Sequence, residues 1–462
     1  MPPPLGRSRR IGVLGLAAAT FFIVSGGPYG LEEILQAHGY GRAVALLLFL
    51  PLVWCLPVAF LVGELGSALP CTGGYYEWVR RGLGEFWGLQ EAWLSLAYSV
   101  VDLAIYPTLL VAYAGQVLPA LAAGTQGWAG WWLGMGMIAG CTLWNALGIR
   151  AVGLGSEALG VAVLGPFVVM VALAAAALPG GGLARLGAAL AAPPPEPGTG
   201  ATWAAGLLLA LWNYMGWDNA STFSGEVEDA PRAYPRAMLV VVGLVAAAYV
   251  LPVLAAASAG LPAASFGAGS WVAAGRALGG APLAGLVMLG GGITVVGMFN
   301  AILLAWSRLP VALAEDGYLP RLLAWRSPGS GAPVPALVAG GGLVALLVGL
   351  ELTRLVAIDV MLQGMALLLE FAALVALRLR EPGLPRPFRV PGGLAGALLL
   401  GVPPAGLLAF SAWRGRGEPG ALGVRAVPLA LLVAAIGPAW WALSRRRRAR
   451  AAARVPGAPA DP

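Results

Sequence analysis

The stretch that decides how this chain folds is FFIVSGGPYG, at residues 21–30. It lies inside a long apolar run, where two glycines followed by a proline interrupt the hydrogen-bond ladder of a helix. Inside a membrane, open backbone is tolerated only where it lines a cavity or is covered by protein. The stretch therefore predicts a helix that is broken at 26–28 beside a cavity.

The composition around this stretch indicates a membrane protein. Of 462 residues, 59% are apolar and only 11% are charged, whereas soluble domains carry about a quarter charged residues. The apolar blocks have the length of about 20 residues that spans a bilayer. The sequence predicts an all-α integral membrane protein of about twelve spans, near 11–37, 42–68, 89–118, 128–147, 151–178, 201–224, 236–260, 281–312, 333–352, 355–377, 392–413 and 425–443.

The sixth predicted span is interrupted as well. It reads LWNYMGWDNASTFSGE at residues 211–226, a polar cluster with Gly216 near its centre. Two broken helices at corresponding positions of two halves are the best sequence indicator of a transporter's binding site. Five spans make one repeat, and because five is odd, the second repeat is predicted to be inverted. The alternative is that the first break is only a kink at a packing contact.

The predicted organisation follows from these repeats. It comprises a cytoplasmic tail at 1–10, a first repeat at 11–178, an external loop at 179–200, a second repeat at 201–377, two further helices at 378–443, and a basic cytoplasmic tail at 444–462.

The charge distribution predicts the orientation. The net charge is +7, and all 28 basic residues are arginine. With both termini cytoplasmic, 21 arginines fall on the inner side, as the preference of basic residues for the cytoplasmic face requires. The run at 445–448 is expected to lie at anionic lipid headgroups rather than on nucleic acid, because it follows a span directly and has no aromatic partners. The outer arginines are Arg42, Arg185, Arg276, Arg354, Arg414, Arg416 and Arg425.

The two breaks offer opposite ends of a helix to a ligand. The half-helix expected to begin near Pro28 turns its positive N-terminus into the gap, which suits a carboxylate. The half-helix expected to end near 213–216 leaves carbonyl oxygens that accept hydrogen bonds from an ammonium group. Together they suit the two ends of an amino acid.

The motifs resemble those of the amino acid–polyamine–organocation transporter superfamily. The resemblance covers residues 10–415, and within the superfamily it is strongest to the branch that contains plant and protozoan polyamine permeases, which 100–107 and 214–228 also resemble. It implies the leucine-transporter fold with broken helices 1 and 6, and a secondary transporter rather than an enzyme, with no cofactor. The Ser-Gly-Gly order at 25–27 departs from the Gly-Ser-Gly order of many amino-acid permeases. The segments that carry the resemblance are 25–30, 63–70, 73–79, 83–88, 307–320 and 332–336.

Ionisable residues at membrane depth are expensive and are therefore functional candidates. Here the deep ones are acidic, and no basic residue lies in the middle of a span. An acidic interior attracts cations, which favours polyamines or cationic amino acids over neutral ones. The deep acids are Asp102, Glu157, Asp218, Asp359 and Glu370, with Glu32 and Glu64 nearer to span ends.

The predicted substrate site combines the two breaks with one deep acid. The aromatic residues beside the breaks are expected to stack on a cationic amine, although most membrane tryptophans lie in the interfacial belt. Asp102 either lines the pathway or bonds to a neighbouring helix. The predicted substrate-binding residues are Ser25, Gly26, Gly27, Tyr29, Asp102, Trp212, Tyr214, Trp217 and Asp218.

Four further residues are predicted to serve coupling or gating. The chain has no lysine, whereas some superfamily members place a proton-carrying lysine in the fifth helix, close to the position of Glu157. If protons drive transport, Glu157 is therefore the expected carrier; if sodium does, Thr294 is one expected ligand. Asp359 is a candidate for the outer gate or a helix cap, and Glu64 for gating or interhelical packing.

The sequence thus predicts a permease in the cell membrane that moves amino acids or polyamines by alternating access, coupled to protons or to sodium. The alternatives are a neutral amino-acid permease or exchanger, a channel, and a membrane sensor that binds amino acids without transport. No Walker loop or His-Glu-x-x-His pattern is present, and the three cysteines lack the spacing of a zinc site. No metal site, nucleic-acid partner or enzymatic activity is predicted.

Overall fold

The computed structural model describes residues 12–70, 74–115, 118–147, 156–194, 200–219, 221, 227–414, 416 and 424–452. Within these ranges the chain folds into helices joined by turns, and no β-sheet is formed. The helices are α1 (Val13–Val24), α2 (Glu32–Leu50), α3 (Leu56–Ala68), α4 (Tyr75–Leu83), α5 (Glu85–Gly115), α6 (Trp128–Ala146), α7 (Ser156–Ala177), α8 (Leu183–Ala191), α9 (Gly200–Trp212), α10 (Ala230–Ser258), α11 (Trp271–Glu315), α12 (Val334–Ala345), α13 (Leu352–Arg380), α14 (Gly393–Arg414) and α15 (Ala426–Ala452).

The prediction of an all-helical, multi-pass membrane protein is confirmed. Among the described residues, eight helical segments are long and apolar enough to cross a membrane. Two shorter helices, α1 and α12, are also apolar. The number of twelve spans and the inverted repeat remain predictions.

The first predicted span, 11–37, is not one helix. It ends at Val24 and resumes at Glu32, so the break is longer than the three residues expected from the sequence. The resumed helix then bends at Gly39, whose φ of 68° and ψ of 172° are accessible to glycine, and continues to Leu50 without a loop. A wider helical turn at 51–55 connects it to α3.

Glycines let the first break press against α11. A Cβ atom on Gly26 would lie 2.5 Å from Sδ of Met298 and 2.6 Å from Cγ2 of Thr294. On the other side of the contact, a Cβ on Gly290 would lie 2.6 Å from the hydroxyl oxygen of Tyr29. A larger residue at these points would have to displace the neighbouring side chains. Glycine therefore permits the close contact between the first break and α11.

Helices α5, α11 and α13 form the centre of the bundle. Helix α5 packs along α13 and α11, α11 also packs against α7, and α1 packs against α10 and α11. Helices α14 and α15 lie at the periphery, where most of their apolar surface faces outward. The centre of the bundle therefore brings the two breaks, α5, α11 and α13 around one space.

Candidate functional site

A cavity of about 420 Å³ lies between the two interrupted helices. Its walls come from the first break, the second break, and the inner faces of α5 and α11, with single residues from α4, α10 and α13. Along α11 the lining runs from Gly291 to Leu309, which corresponds to roughly 27 Å of helix. The cavity is therefore long and narrow.

Helix α5 presents a polar stripe to this cavity. Ser95, Tyr98, Ser99, Asp102 and Tyr106 all line it. Their spacing of three or four residues places them on one face of the helix. The stripe supplies one carboxylate and several hydroxyl groups to an otherwise apolar space.

Asp102 is anchored to the second break. Its Oδ1 atom accepts a hydrogen bond of 2.9 Å from Nε1 of Trp212, the last residue of α9. The Tyr106 hydroxyl lies 3.5 Å from each carboxylate oxygen, a distance at the limit of hydrogen bonding. One carboxylate oxygen is thus held by Trp212, while the other lacks a close donor in the described structure.

Glycines shape the first break. Gly27 and Gly30 have φ angles of 81° and 92°, which only glycine adopts without strain. The N–H of Gly27 donates to Oγ of Ser25 at 3.1 Å, so Ser25 stabilises the open backbone from within.

The N-terminus of α2 already carries a carboxylate. Glu32, at the first position of the helix, is 1% exposed. Its carboxylate accepts hydrogen bonds from the N–H of Gly30 at 2.7 Å, the hydroxyl of Tyr113 at 2.9 Å and the N–H of Gly269 at 3.2 Å. The site that the sequence offered to a ligand's carboxylate is therefore occupied by the chain's own side chain.

Two carbonyl oxygens of the second break also accept hydrogen bonds from within the chain. The carbonyl of Asn213 accepts from the Tyr249 hydroxyl at 2.6 Å, and that of Tyr214 accepts from Nε1 of Trp217 at 2.8 Å. Nδ2 of Asn213 reaches the carbonyl of Gly30 at 3.4 Å and thereby links the two breaks. The expectation of unpaired carbonyls that await an ammonium group is not met at Asn213 and Tyr214.

One end of the cavity is closed by aromatic side chains. Tyr29 and Tyr113 line this end with ring centroids 5.6 Å apart. Phe167 packs against Tyr29 at 5.0 Å, and Trp271 packs behind it at 5.7 Å. The hydroxyl of Tyr29 and Nε1 of Trp271 donate to main-chain carbonyls, so the wall is fixed by hydrogen bonds as well as by packing.

Four buried acids surround the cavity without lining it: Glu91, Asp218, Asp359 and Glu370. Asp218 accepts a hydrogen bond of 3.3 Å from the cavity-lining Tyr98. Both carboxylate oxygens of Asp359 and of Glu370 lack a hydrogen-bond donor among the described residues. No Arg in the part of the chain that the structure describes forms an ion pair with any of the four.

Glu64 is different, because it is fully paired. Arg378 donates two hydrogen bonds to the carboxylate of Glu64, one from Nε at 2.9 Å and one from Nη2. The carboxylate also accepts a hydrogen bond from the N–H of Val390 at 2.7 Å. Nε of Arg386 lies 3.3 Å from it. This buried ion pair ties α3 to the end of α13 and to the segment that follows, away from the cavity.

The structure brings together only part of the predicted site. Gly26, Tyr29, Asp102, Trp212 and Thr294 line the cavity. Ser25, Gly27, Asp218 and Asp359 lie behind its wall, and the side chain of Glu157 lies outside the described residues. Tyr214 and Trp217 are buried in helix contacts, where the Tyr214 hydroxyl donates to the carbonyl of Leu47 at 2.7 Å.

Sequence reasoning missed most of the stripe on α5 and the buried Glu91. Tyr98 and Tyr106 lie four residues on either side of Asp102, so helical spacing alone was enough to find them. Glu91 continues the same stripe one turn before Ser95, to which it is hydrogen-bonded at 3.1 Å. Within the described residues, no group of three or more His, Cys, Asp or Glu side chains is placed to hold a metal ion.

A multi-pass helical protein with a cavity between two interrupted helices belongs to the class of secondary transporters. Comparison with known sequences agrees, since the amino acid permease family matches residues 16–410. The chain belongs to this family of permeases, which confirms the resemblance seen in its motifs.

Named relatives are transporters too. The chain is 33% identical to polyamine transporter PUT1 of Oryza sativa subsp. japonica, over 88% of this chain and 74% of the relative. It is 31% identical to polyamine transporter RMV1 of Arabidopsis thaliana, over 87% of this chain and 79% of the relative. An uncharacterized transporter of Mycobacterium tuberculosis is 28% identical, over 69% and 68%. The relatives identify this chain as a transporter and not an enzyme.

Proposed function

We propose that this protein is a secondary active permease for cationic amines, with polyamines as the preferred class, and that it works by alternating access. Two relatives that share 33% and 31% identity with this chain are named polyamine transporters. In this proposal both termini are cytoplasmic and the protein resides in the cell membrane. Transport is coupled to protons.

The observation that carries the proposal is a set of acids in the cavity region that pair with no arginine of the described residues, including Arg308, which also lines the cavity. Asp102 lines the cavity, and Asp218 and Asp359 lie directly behind its wall. None of these three acids forms an ion pair within the described structure. Buried carboxylates are costly unless a cation accompanies them, and an ammonium group of the substrate supplies that cation.

Asp102 is the proposed anchor for the substrate amine. Trp212 orients its carboxylate through a hydrogen bond of 2.9 Å, and the less engaged oxygen is available to an ammonium group. The rings of Trp212 and Tyr106 lie beside it, 6.4 Å apart, and aromatic faces attract cations. The site thus combines a fixed anion with two aromatic surfaces.

The first break favours amines without an α-carboxylate. Glu32 occupies the positive N-terminus of α2, where a free amino acid would place its carboxylate. A second anion beside Glu32 would be repelled. This occupancy supports polyamines over neutral amino acids, which remain the alternative substrates.

We also propose the architecture that the sequence predicts. Twelve spans would form two inverted five-helix repeats, 11–178 and 201–377, followed by two helices within 378–443. The remaining segments are the tails 1–10 and 444–462 and the external loop 179–200. Two features support this: both interrupted helices border one cavity, and α14 and α15 are peripheral. In this orientation the aromatic wall at Tyr29 is external and the Arg308 end is cytoplasmic.

The test is uptake of labelled putrescine into liposomes that contain the purified protein, with unlabelled spermidine, arginine, leucine and alanine as competitors. Saturable uptake that spermidine blocks and alanine does not is the expected result. Entry of a labelled amino acid, with putrescine excluded, would contradict the proposal and favour the neutral alternative. Ligand binding with no net flux would favour a sensor.

The Asp102→Asn variant locates the amine. Removing one partner of a buried charge pair costs about 2–5 kcal/mol, so we expect putrescine affinity to fall by about 30-fold or more. Thr108→Val is the matched control, because Thr108 lies on the same helix and its hydroxyl donates to the carbonyl of Ala104 at 3.2 Å. Unchanged putrescine affinity in Asp102→Asn would place the amine elsewhere.

A further inference from the structure

Three buried carboxylates form a cluster behind the cavity wall. Glu91 comes from α5, Asp218 from the second break and Glu370 from α13, and they are 0%, 5% and 1% exposed. The charge of Glu91 acts on Glu370, and the charge of Asp218 acts on both. The cluster therefore joins two central helices to the segment that interrupts a third.

The cluster has more acceptors than donors. Oγ of Ser95 donates to Oε1 of Glu91 at 3.1 Å, and the hydroxyl of Tyr98 donates to Oδ2 of Asp218 at 3.3 Å. Oε2 of Glu91 and both oxygens of Glu370 have no donor in the described structure. Most buried polar atoms in proteins are hydrogen-bonded, so the cluster is short of donors among the described residues.

Among the described residues, no neighbouring element supplies a positive charge to the cluster. The titratable group that faces it from α4 is the hydroxyl of Tyr75, and from α5 the hydroxyl of Tyr98. Helix α13 adds the neutral Gln363, which bonds to Asp218, and a further acid, Asp359, on which the charge of Asp218 acts. Helices α6, α9 and α12, which pack against α5 or α13, have no charged residue.

The nearest arginines of the remaining elements are engaged or remote. Arg80 on α4 pairs with Glu77 at 3.1 Å, and Arg378 near the end of α13 pairs with Glu64. Helix α15 has no charged residue before Arg445, and α14 has none before Arg414. Arg308 on α11 lines the cavity and is not among the groups whose charge acts on Glu370.

Three buried carboxylates whose charges act within one cluster are costly to ionise together without a cation. Like charges that share a site retain protons, and they release them in steps that belong to the group as a whole. A proton on Glu370 makes one of its unpaired oxygens a hydrogen-bond donor. A proton bound by the cluster therefore lowers the cost of burying it.

We propose that Glu91, Asp218 and Glu370 form the proton-binding site that couples transport to the proton gradient. The step is a simple protonation: one carboxylate takes up a proton and becomes a neutral carboxyl group, and the reverse step releases it. When the proton leaves, repulsion separates α5 and α13 from the second break. The proton thus stabilises the arrangement of the broken helix described above.

This site is separate from the proposed amine site. Ser95, Tyr75 and Tyr98 line the cavity and contact the cluster from its other side. Substrate at Asp102 and a proton at Glu370 are therefore divided by side chains that carry hydroxyl groups. The inference rests on the proposed function for the identity of the transported amine. It differs from the sequence-based prediction, which assigned proton coupling to Glu157.

The test compares two modes of putrescine transport in liposomes that contain the full-length protein. One proton carried down a gradient of one pH unit supplies 1.36 kcal/mol, enough for about tenfold accumulation. Exchange of labelled for unlabelled putrescine at equal pH needs no such energy. We expect Glu370→Gln and Glu91→Gln to lose the tenfold accumulation while exchange stays within about twofold of the unmodified protein.

Controls separate coupling from misfolding. Glu351→Gln removes an exposed acid that pairs with Arg354 and is expected to accumulate putrescine normally. Glu157→Gln tests the rival carrier. The proposal is overturned if Glu370→Gln and Glu91→Gln accumulate putrescine normally, or if a well-folded Glu370→Gln loses exchange together with accumulation.

A second readout needs no substrate. Infrared difference spectra of the protein in liposomes, recorded between mildly acidic and mildly alkaline pH, report the carbonyl stretch of protonated carboxyl groups. We expect a band in the unmodified protein that Glu370→Gln diminishes and Glu351→Gln keeps. If Glu370→Gln diminishes the band but putrescine is not transported, the proposal of a polyamine substrate is contradicted and the proposal of the proton-binding site is supported. If the band is unchanged in Glu370→Gln, the proton site fails whatever the substrate.

Discussion

Two regions of this molecule bury acidic side chains in opposite ways. Glu64 meets Arg378 and Arg386 and accepts a main-chain hydrogen bond besides. Within the described structure, Glu91 and Glu370, in the centre, pair with no arginine, and three of their four carboxylate oxygens have no donor. A buried acid with a built-in partner indicates a structural contact, whereas one without a partner indicates a place for a mobile cation.

The largest effect is expected from breaking the paired region. In Arg378→Gln, Arg386 is the one arginine that still pairs with Glu64 in the described structure. Removing one partner of a buried ion pair destabilises a protein by about 3–5 kcal/mol. Thermal unfolding of the detergent-solubilised protein, followed by loss of monodisperse elution, measures this effect. The matched control is Arg81→Gln, which breaks the partly exposed pair with Glu381; equal losses in the two variants would contradict the contrast.

An intermediate effect is expected at the first break. Glu32→Gln keeps the shape of the side chain but removes the negative charge at the start of α2. The interaction of such a charge with the helix dipole contributes up to about 2 kcal/mol. We expect competition by leucine against putrescine to strengthen by about tenfold. Glu33→Gln, at the next position, is the control, and no change in selectivity for Glu32→Gln would separate this acid from substrate choice.

The smallest effect is expected on the surface. The hydrogen bonds and charge of Arg81 lower the pKa of Glu381. A carboxylate whose pKa is lowered on folding adds stability above its ordinary pKa and loses it as the pH falls through the lowered value. For so exposed a pair this amounts to less than about 1 kcal/mol.

Comparing the unmodified protein with Glu381→Gln tests this sign. The difference in thermal stability should be largest near neutral pH and vanish in acid. A difference that grows in acid would show that the pair does not stabilise the fold.

The sequence predicted the helical membrane fold and the position of both breaks, because glycine and proline act locally on the backbone. It misplaced the start of the second half-helix. The φ of 92° at Gly30 keeps the chain out of helical conformation until Leu31, so the helix begins at Glu32 and not near Pro28.

The candidate site was predicted less completely than the fold. Asp102 and Trp212 line the cavity, but Tyr214 and Trp217 turn into helix contacts. The direction of side chains in a non-helical segment depends on individual φ and ψ angles, which no periodic pattern records. Glu91 was missed because its burial arises from the packing of α4 and α13 against α5, which is a long-range property.

The bend at Gly39 has a mechanical consequence. The chain passes from the half-helix at 32–38 through this single residue into the rest of α2, without a flexible linker between the two segments. Any tilt of the half-helix, and of the aromatic wall attached to it, must be absorbed as torsion at one glycine or passed on to the neighbouring helix. Gly39 therefore sets the angle between the two helical segments, and a side chain there would strain the backbone at its φ of 68°.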